Sequence, residues 1–170
     1  MIAVCGPNEP TDEEIDLAEE VGRLVARAGS ALVCGGRDGV MAAACRGAKS
    51  AGGTTIGILP GYDPNAANQW VDFPIPTGIG HARNAIVVAS GDAVIAVGGG
   101  FGTLSEVALA LKMGKPVIAL NSWELDSDRV ARFGAAANYH TASSAEDAVG
   151  IALSYMRHDL RPRETPTGHG

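Results

Sequence analysis

Val97-Gly98-Gly99-Gly100-Phe101-Gly102-Thr103-Leu104-Ser105-Glu106 is the stretch on which the reading of this chain turns. Four glycines in five positions follow the apolar run Ala93 to Val97. They precede a segment in which Leu104, Val107, Ala108 and Leu111 share one helical face. A strand that passes through glycines into a helix leaves free backbone N–H groups at the positive end of the helix dipole, which suits a phosphate. The run is not a P-loop, because no Lys-Ser/Thr pair follows the last glycine. It also fits the dinucleotide fingerprint poorly: Thr103 stands where the last glycine belongs, and no acidic ribose ligand follows the second apolar run at Cys34 and Gly35. A nicotinamide enzyme is therefore disfavoured. A tight turn with no ligand is the other reading of these glycines.

Working outward, short apolar runs alternate with longer amphipathic stretches. Met1 to Cys5 reads as a buried strand, Thr11 to Ala28 as a helix opened by Thr11 and Glu14 at capping-box spacing, and Ala31 to Cys34 as a second strand. The turn Gly35 to Gly39, with Asp38 as an N-cap candidate, leads into a helix of small residues to Ala51; strand Thr54 to Leu59 follows. Pro60 to Trp70 is a polar loop, and Pro74 and Pro76 keep the extended run Val71 to Ile75 out of a regular central ladder. Then come helix Gly80 to Ser90, strand Ala93 to Val97, turn Gly98 to Thr103, helix Leu104 to Met113 and strand Val117 to Leu120. Asn121 to Asn138 has no clear assignment. Ser143 to Met156 is a terminal helix with Ser143 and Glu146 at capping-box spacing, and Arg157 to Gly170 is a polar tail expected to fray. The pattern implies a single-domain, doubly wound α/β fold over residues 1–156, with a mainly parallel sheet and helices on both faces. Right-handed crossovers place every strand-to-helix turn on one edge, where ligands bind.

Composition narrows the function. The 170 residues are 46% hydrophobic and 19% charged, an ordinary globular balance, and the net charge of -6 opposes binding to nucleic acid polymers or anionic membranes. No apolar run approaches the roughly 18 residues of a membrane span, and no basic region precedes an apolar core at the start, so a cytoplasmic protein is expected. Cys5, Cys34 and Cys45 form no CxxC and sit in apolar surroundings; they read as buried reduced thiols, and no metal site is expected. Glycine is the outlier, at 23 residues against 5% aromatics. Ten glycines, Gly6, Gly35, Gly36, Gly39, Gly78, Gly80, Gly98, Gly99, Gly100 and Gly102, follow strands on the one edge.

Two polar residues stand out. Thr103 and Glu106 have capping-box spacing, so Glu106 is either a helix cap or a carboxylate facing the bound ligand, where it could activate water or stabilise a developing cation. Arg83, at the start of a helix, opposes the dipole by ~0.3–1 kcal/mol, a placement that suggests an anionic partner. His81 either donates to that anion or caps the turn, and Arg37 and Asp38 either touch a ribose or pair with each other.

Gly35-Gly36-x-x-Gly39-Val40-Met41, His81-x-Arg83 and Gly99-Gly100-Phe101-Gly102-Thr103-Leu104-Ser105-Glu106 resemble, in order and spacing, the Rossmann-like superfamily of the cytokinin-activating Lonely Guy phosphoribohydrolases. That superfamily also holds molybdenum-cofactor carrier proteins and proteins labelled lysine decarboxylases. Gly52 to Gly61 and Thr77 to Asn84 look more like the carrier branch. The resemblance implies Arg83 and Glu106 as catalytic residues. It implies that Gly99, Gly100, Gly102 and Thr103 hold the 5′-phosphate; with the glycine edge and the segment Thr77 to Asn84, the expected ligand site takes in Gly6, Gly35, Gly36, Gly39, Thr77, Gly78, His81, Asn84, Gly98, Gly99, Gly100, Phe101, Gly102 and Thr103. The ligand would be a small phosphorylated molecule, either a nucleoside 5′-monophosphate cleaved at its N-glycosidic bond or a molybdenum cofactor carried without chemistry. No further cofactor is required. A homodimer is also implied, and the small-residue face Ala43, Gly47, Ala48 and Ala51 would suit close packing, either between two copies or, equally well, within the chain. The chain departs from the enzymes at Gly98, Ala82 and Asn84, where they carry Pro, Glu and Lys. No lysine has surroundings suited to a pyridoxal Schiff base, which argues against a decarboxylase.

Overall fold

The computed structural model describes residues 1–134 and 138–158. Its strands are β1 (Ile2–Cys5), β2 (Leu32–Cys34), β3 (Thr55–Leu59), β4 (Phe73–Pro76), β5 (Ala93–Val97), β6 (Val117–Leu120) and β7 (Tyr139–Ala142). The helices are α1 (Asp12–Arg27), α2 (Val40–Ser50), α3 (Asn84–Ser90), α4 (Phe101–Lys112), α5 (Ser127–Arg132) and α6 (Ala145–His158). The strands form one sheet in the order β4-β3-β2-β1-β5-β6-β7, and every neighbouring pair is parallel. The chain thus winds outward from β1 to β4, then returns to lay β5 beside β1 in the register Ile2↔Ala93 to Cys5↔Ala96. The switch point of this Rossmann-like sheet lies between the carboxyl ends of β1 and β5, where a crevice is expected.

Alternation along the strands separates two apolar layers. Ile2, Val4, Leu32, Ile95 and Ile118 face α1, α2 and α6, whereas Ala3, Cys5, Val33, Val94 and Ala96 face α3 and α4. Glycine sets the closeness of α1 and α2: a Cβ at Gly22 would lie 1.9 Å from the Ala44 carbonyl oxygen, and one at Gly47 would lie 1.8 Å from that of Glu19. Gly47, offered by the sequence as part of a dimer face, is therefore spent on packing within the chain, beside buried Ala43 and Ala48. All three cysteines are buried and free of disulfides.

Several boundaries move. The extended run with two prolines is the edge strand β4, paired to β3 with Gly57 opposite Pro74 and Leu59 opposite Pro76. At such an edge the missing proline N–H groups leave no ladder bond unmade. Gly80–Arg83 is a 3₁₀ turn and only Asn84 begins α3. The unassigned stretch holds α5 and leads into β7, while residues 135–137 lie outside the described residues. Gly39, with no capping side chain, is the N-cap of α2, which removes Asp38 from that role. The α6 cap is shifted by one residue from expectation, with Ser144 Oγ accepting from Asp147 N–H at 3.2 Å. That helix also runs past 156 to His158, and the rest of the expected tail, 159–170, lies outside the described residues. Among the described residues no helix is long and apolar enough to cross a membrane.

Candidate functional site

At the switch point a cavity of about 260 Å³ opens between the loops after β1, β2 and β5 and the 3₁₀ turn before α3. Of the residues singled out in the sequence, Gly6, Gly35, His81, Arg83, Asn84, Gly100, Gly102, Thr103 and Glu106 line it. One wall is the start of α4. Its N-cap is Gly100, in extended backbone (φ -114°, ψ 173°), and among the described residues no side chain caps the helix. The N–H groups of Phe101, Gly102 and Thr103 therefore sit in the first turn without intrahelical acceptors. Thr103 is buried and turns its hydroxyl back to accept from Gly100 N–H at 3.5 Å.

This start, three residues earlier than the expected Leu104, decides what Glu106 is. With Gly100 as N-cap, Thr103 is already inside the helix and Glu106 lies a turn further on, out of reach of the cap. Glu106 is only 7% exposed. Burial pushes its carboxyl up to about 7, against the opposing pull of the Arg83 charge and of the Cys5 thiol, which donates to it. Cys5 is itself pushed well up, by burial first and by the Glu106 charge second.

Arg83 lines the same cavity, and its charge acts on this carboxyl. Its Nη1 donates to the Ile58 carbonyl at 3.0 Å. The guanidinium lies against Gly35, where a Cβ would come within 1.7 Å of Nη1. Its Nε is buried with no acceptor among the described residues. A buried donor left unpaired is uncommon and calls for a ligand or ordered water. Next to it, Asn84 is 7% exposed and donates through Nδ2 to Ser105 Oγ at 3.1 Å, while Ser105 donates on to the Gly102 carbonyl at 2.7 Å.

The remaining sequence candidates do not line the cavity. Gly36 (φ +72°) packs on Leu59 and Gly57, and Gly39 (φ +65°) packs on the carbonyls of Pro7 and Asn8. Thr77 is committed to β3, donating to the Leu59 carbonyl through Oγ1 at 2.7 Å, and Gly78 lies under the Tyr62 ring. Gly98 rests on the Glu14 carboxylate, and Gly99 packs on Trp123. Phe101 is 85% exposed and pairs with the Trp123 ring at 6.1 Å. Arg37 and Asp38, the optional ribose contacts, are both exposed and line no part of the cavity.

Val4, Cys5, Pro7, Asn8 and Met41 also line the cavity without having been placed there by the sequence reading, and Trp123 supports it from outside. Cys5 lines the cavity under Glu106; its place as the last residue of β1 at the switch point was the available signal. Trp123 donates from Nε1 to the Gly100 carbonyl at 3.1 Å and so braces the glycine loop from the β6 side. It falls in the unassigned stretch, where no periodicity marks it.

Residues 1–149 match the model of the SLOG cluster4 family. The chain belongs to this family. An uncharacterised protein of Archaeoglobus fulgidus is 49% identical over 120 residues, 71% of this chain and 79% of its own length. Cytokinin riboside 5′-monophosphate phosphoribohydrolases of Rhodococcoides fascians and Mycobacterium tuberculosis are 36% and 33% identical. The first match covers 64% of this chain and 60% of that protein. The second covers 72% and 71%. Among solved structures, the molybdenum cofactor binding protein of Rippkaea orientalis superposes with a TM-score of 0.83 at 44% identity, over 91% of this chain and 96% of that one. The molybdenum cofactor carrier protein of Chlamydomonas reinhardtii gives 0.82 at 38% identity, over 92% and 97%. The SLOG site thus has relatives of two kinds, named for bond cleavage and for carriage.

Proposed function

We propose that the cavity binds a nucleoside 5′-monophosphate and hydrolyses its N-glycosidic bond. The phosphate would take the free N–H groups at the start of α4, where the helix dipole and the absence of a side-chain cap favour an anion. Arg83, with its buried unpaired Nε, would neutralise its charge. The observation that carries the reading is Glu106, a carboxyl held at 7% exposure on the cavity wall and pushed up to about 7. Such a group is poised to change protonation near neutral pH, which suits general acid–base work. Water attacks C1′ and loses a proton to the Glu106 carboxylate. The bond from C1′ to the base nitrogen breaks, its electron pair leaves with the base, and the base takes up a proton. Free base and ribose 5-phosphate result. The ionised carboxylate also stabilises the oxocarbenium character that develops at C1′.

The test is release of base from AMP and N6-substituted AMP by the purified protein, with activity lost in Glu106→Gln. No turnover across a broad panel of nucleotides would overturn the reading.

A second reading, carriage of molybdenum cofactor without chemistry, is favoured by the likeness to the Rippkaea orientalis and Chlamydomonas reinhardtii proteins over nine tenths of the chain. The phosphate of the pterin would occupy the same helix start. This reading fails if the purified protein neither retains the cofactor nor slows its inactivation.

A further inference from the structure

Cys34 and Cys45 line no part of the cavity, yet their sulfur atoms touch at 3.5 Å inside the core, with neither residue exposed. Cys34 ends β2 and leads directly into the cavity loop. Gly35, the next residue, lines the cavity and has the Arg83 guanidinium against it, and Gly36 donates its N–H to Cys34 Sγ at 3.3 Å. Cys45 lies in α2 between Ala44 and Gly47, two points where that helix is pressed onto α1. A thiol pair in contact thus joins a tightly packed helix to the loop beside Arg83. The two sulfurs differ. The hydrogen bond that Cys34 accepts from Cys45 holds it below the usual thiol range against the cost of burial, with Gly36 N–H adding to the effect, while the same hydrogen bond and burial push Cys45 well up. Cys34 is therefore the thiolate former of the pair, and the thiolate is the reactive form. Cys5, on the cavity wall, is pushed up and stays a thiol.

We propose that Cys34 and Cys45 are a redox switch: hydrogen peroxide joins them in a reversible disulfide that displaces the Gly35–Gly36 loop and so unseats Arg83 from the ligand cavity. Peroxide entering the cavity comes within one residue of Cys34, behind Gly35. The Cys34 thiolate attacks one peroxide oxygen; the O–O bond breaks, and the departing hydroxide takes the Cys34 proton and leaves as water. Cys45 Sγ then attacks the sulfur of the resulting sulfenic acid; the S–O bond breaks, and the second hydroxide leaves as water with the Cys45 proton. Two thiols lose two electrons and two protons in all, and one peroxide becomes two waters. Bonding brings the sulfurs from 3.5 Å to about 2 Å. Because Gly22 and Gly47 leave no room between α1 and α2, the movement falls on Cys34 and the two glycines after it. Gly36 N–H gives up its thiol acceptor, and the hold of Arg83 on the Ile58 carbonyl loosens.

The disulfide stands independently of what the cavity binds; its effect on AMP rests on the nucleotide reading above. The experiment treats the full-length reduced chain with hydrogen peroxide and compares it with the untreated chain by peptide mass mapping, amide hydrogen exchange and calorimetric titration of AMP. The expected result is a crosslinked peptide joining Cys34 to Cys45 with Cys5 left free to alkylate, faster exchange at residues 35–37 and 80–83, and AMP affinity lower by about tenfold, the size of one lost charged contact. Dithiothreitol should reverse all three. Cys34→Ser, which removes the attacking sulfur, should make exchange and affinity insensitive to peroxide. The crosslink and the exchange are read on the unaltered chain, so they decide the matter even if Cys34→Ser does not fold. Failure to find the Cys34–Cys45 crosslink overturns the switch, as does a crosslinked chain whose exchange is unchanged, or AMP binding of equal strength in both forms. An effect of peroxide that survives Cys34→Ser also overturns it and places the sensitivity at Cys5. A chain that binds AMP in neither form overturns the nucleotide reading alone, and exchange then decides the switch.

Discussion

Two helix starts in this chain carry the same Thr-x-x-Glu spacing and use it differently. At α1, Thr11 is the N-cap; its hydroxyl accepts from Glu14 N–H at 3.3 Å and its own N–H donates to Glu14 Oε2 at 2.8 Å. At α4 the N-cap is Gly100, Thr103 sits three residues into the pattern, and Glu106 is carried past the cap into the core. The backbone around each threonine accounts for the difference. Thr11 is itself extended (φ -72°, ψ 164°) and the helix starts after it, whereas the small Gly100 and Gly102 let α4 begin a turn ahead of Thr103. Glu14 satisfies a backbone donor at the surface. Glu106 satisfies none and is left at the cavity with the Arg83 charge and a hydrogen bond from the Cys5 thiol. One spacing thus encodes a cap or a buried acid, and the glycines decide which.

The strongest way to test this contrast is at the acid itself. Glu106→Gln keeps the shape and removes the ionisable group, so base release should fall by roughly 10²–10⁴-fold, the usual contribution of a positioned acid or base. In the unaltered protein the rate should rise with pH through about 7, as Glu106 becomes ionised. A rate that is flat from pH 5 to 9, or a Glu106→Gln chain of full activity, would place Glu106 with Glu14 as a structural residue.

Stability should separate the two carboxylates as well. Glu106 titrates at about 7 when folded and at an ordinary 4.5 when unfolded, so between these values the folded chain binds more protons. Stability from this group is fully present below 4.5 and is lost as pH rises through 7, by about 3 kcal/mol in all. Glu106→Gln should therefore be more stable than the parent at pH 8 by up to that amount and nearly equal to it at pH 4. Chemical denaturation at the two values measures the difference, and an equal effect at both would show that burial is not what sets this carboxyl.

The sheet was legible because its strands are short continuous apolar runs and its turns are marked by glycine, which is why the parallel α/β architecture could be read from the sequence. The candidate site was legible in its parts: Arg83 stands against the helix dipole, and Glu106 follows the glycine turn at a spacing that fits either a cap or an acid. Their pairing was not. Whether Glu106 caps or enters the core hangs on a three-residue register that spacing leaves open, and Arg83 reaches the cavity only because Gly35 lets its guanidinium lie on the backbone. Trp123, Cys5 and the Asn84–Ser105 relay depend on contacts between segments far apart in sequence. Gly36 and Gly39 enter the candidate site because they follow strands on the glycine-rich edge, and Thr77 because it lies in the segment before Arg83, but their hydrogen bonds and packing are spent holding loops.

Gly35→Ala tests the Arg83 side of the cavity with an expected effect of intermediate size. Gly35 has no left-handed backbone to strain, so the substitution acts only through the Cβ that would fall 1.7 Å from Arg83 Nη1. Arg83 must leave the Ile58 carbonyl, and overpacking of this kind lowers stability by about 1–3 kcal/mol. AMP affinity should fall about tenfold with the displaced guanidinium. Adding Gly35→Ala to Arg83→Ala should then change affinity little further, because both remove the same contact. Fully additive losses would mean that Gly35 serves the ligand directly rather than through Arg83.

Thr11→Ala is the smallest change and the control for the whole contrast. It deletes the hydroxyl that accepts from Glu14 N–H but leaves the Thr11 backbone N–H to hold the Glu14 carboxylate. Loss of such an N-cap costs about 1 kcal/mol, which for a chain of this length lowers Tm by roughly 2–4 °C. The Glu14 carboxylate lies close to Gly98, so the α1 cap and the glycine loop touch. If the cap serves only the helix, nucleotide affinity should be unchanged while Tm falls. If affinity falls along with Tm, the Glu14 carboxylate is bracing Gly98 from below as Trp123 braces Gly100 from the side, and the two helix starts form one unit.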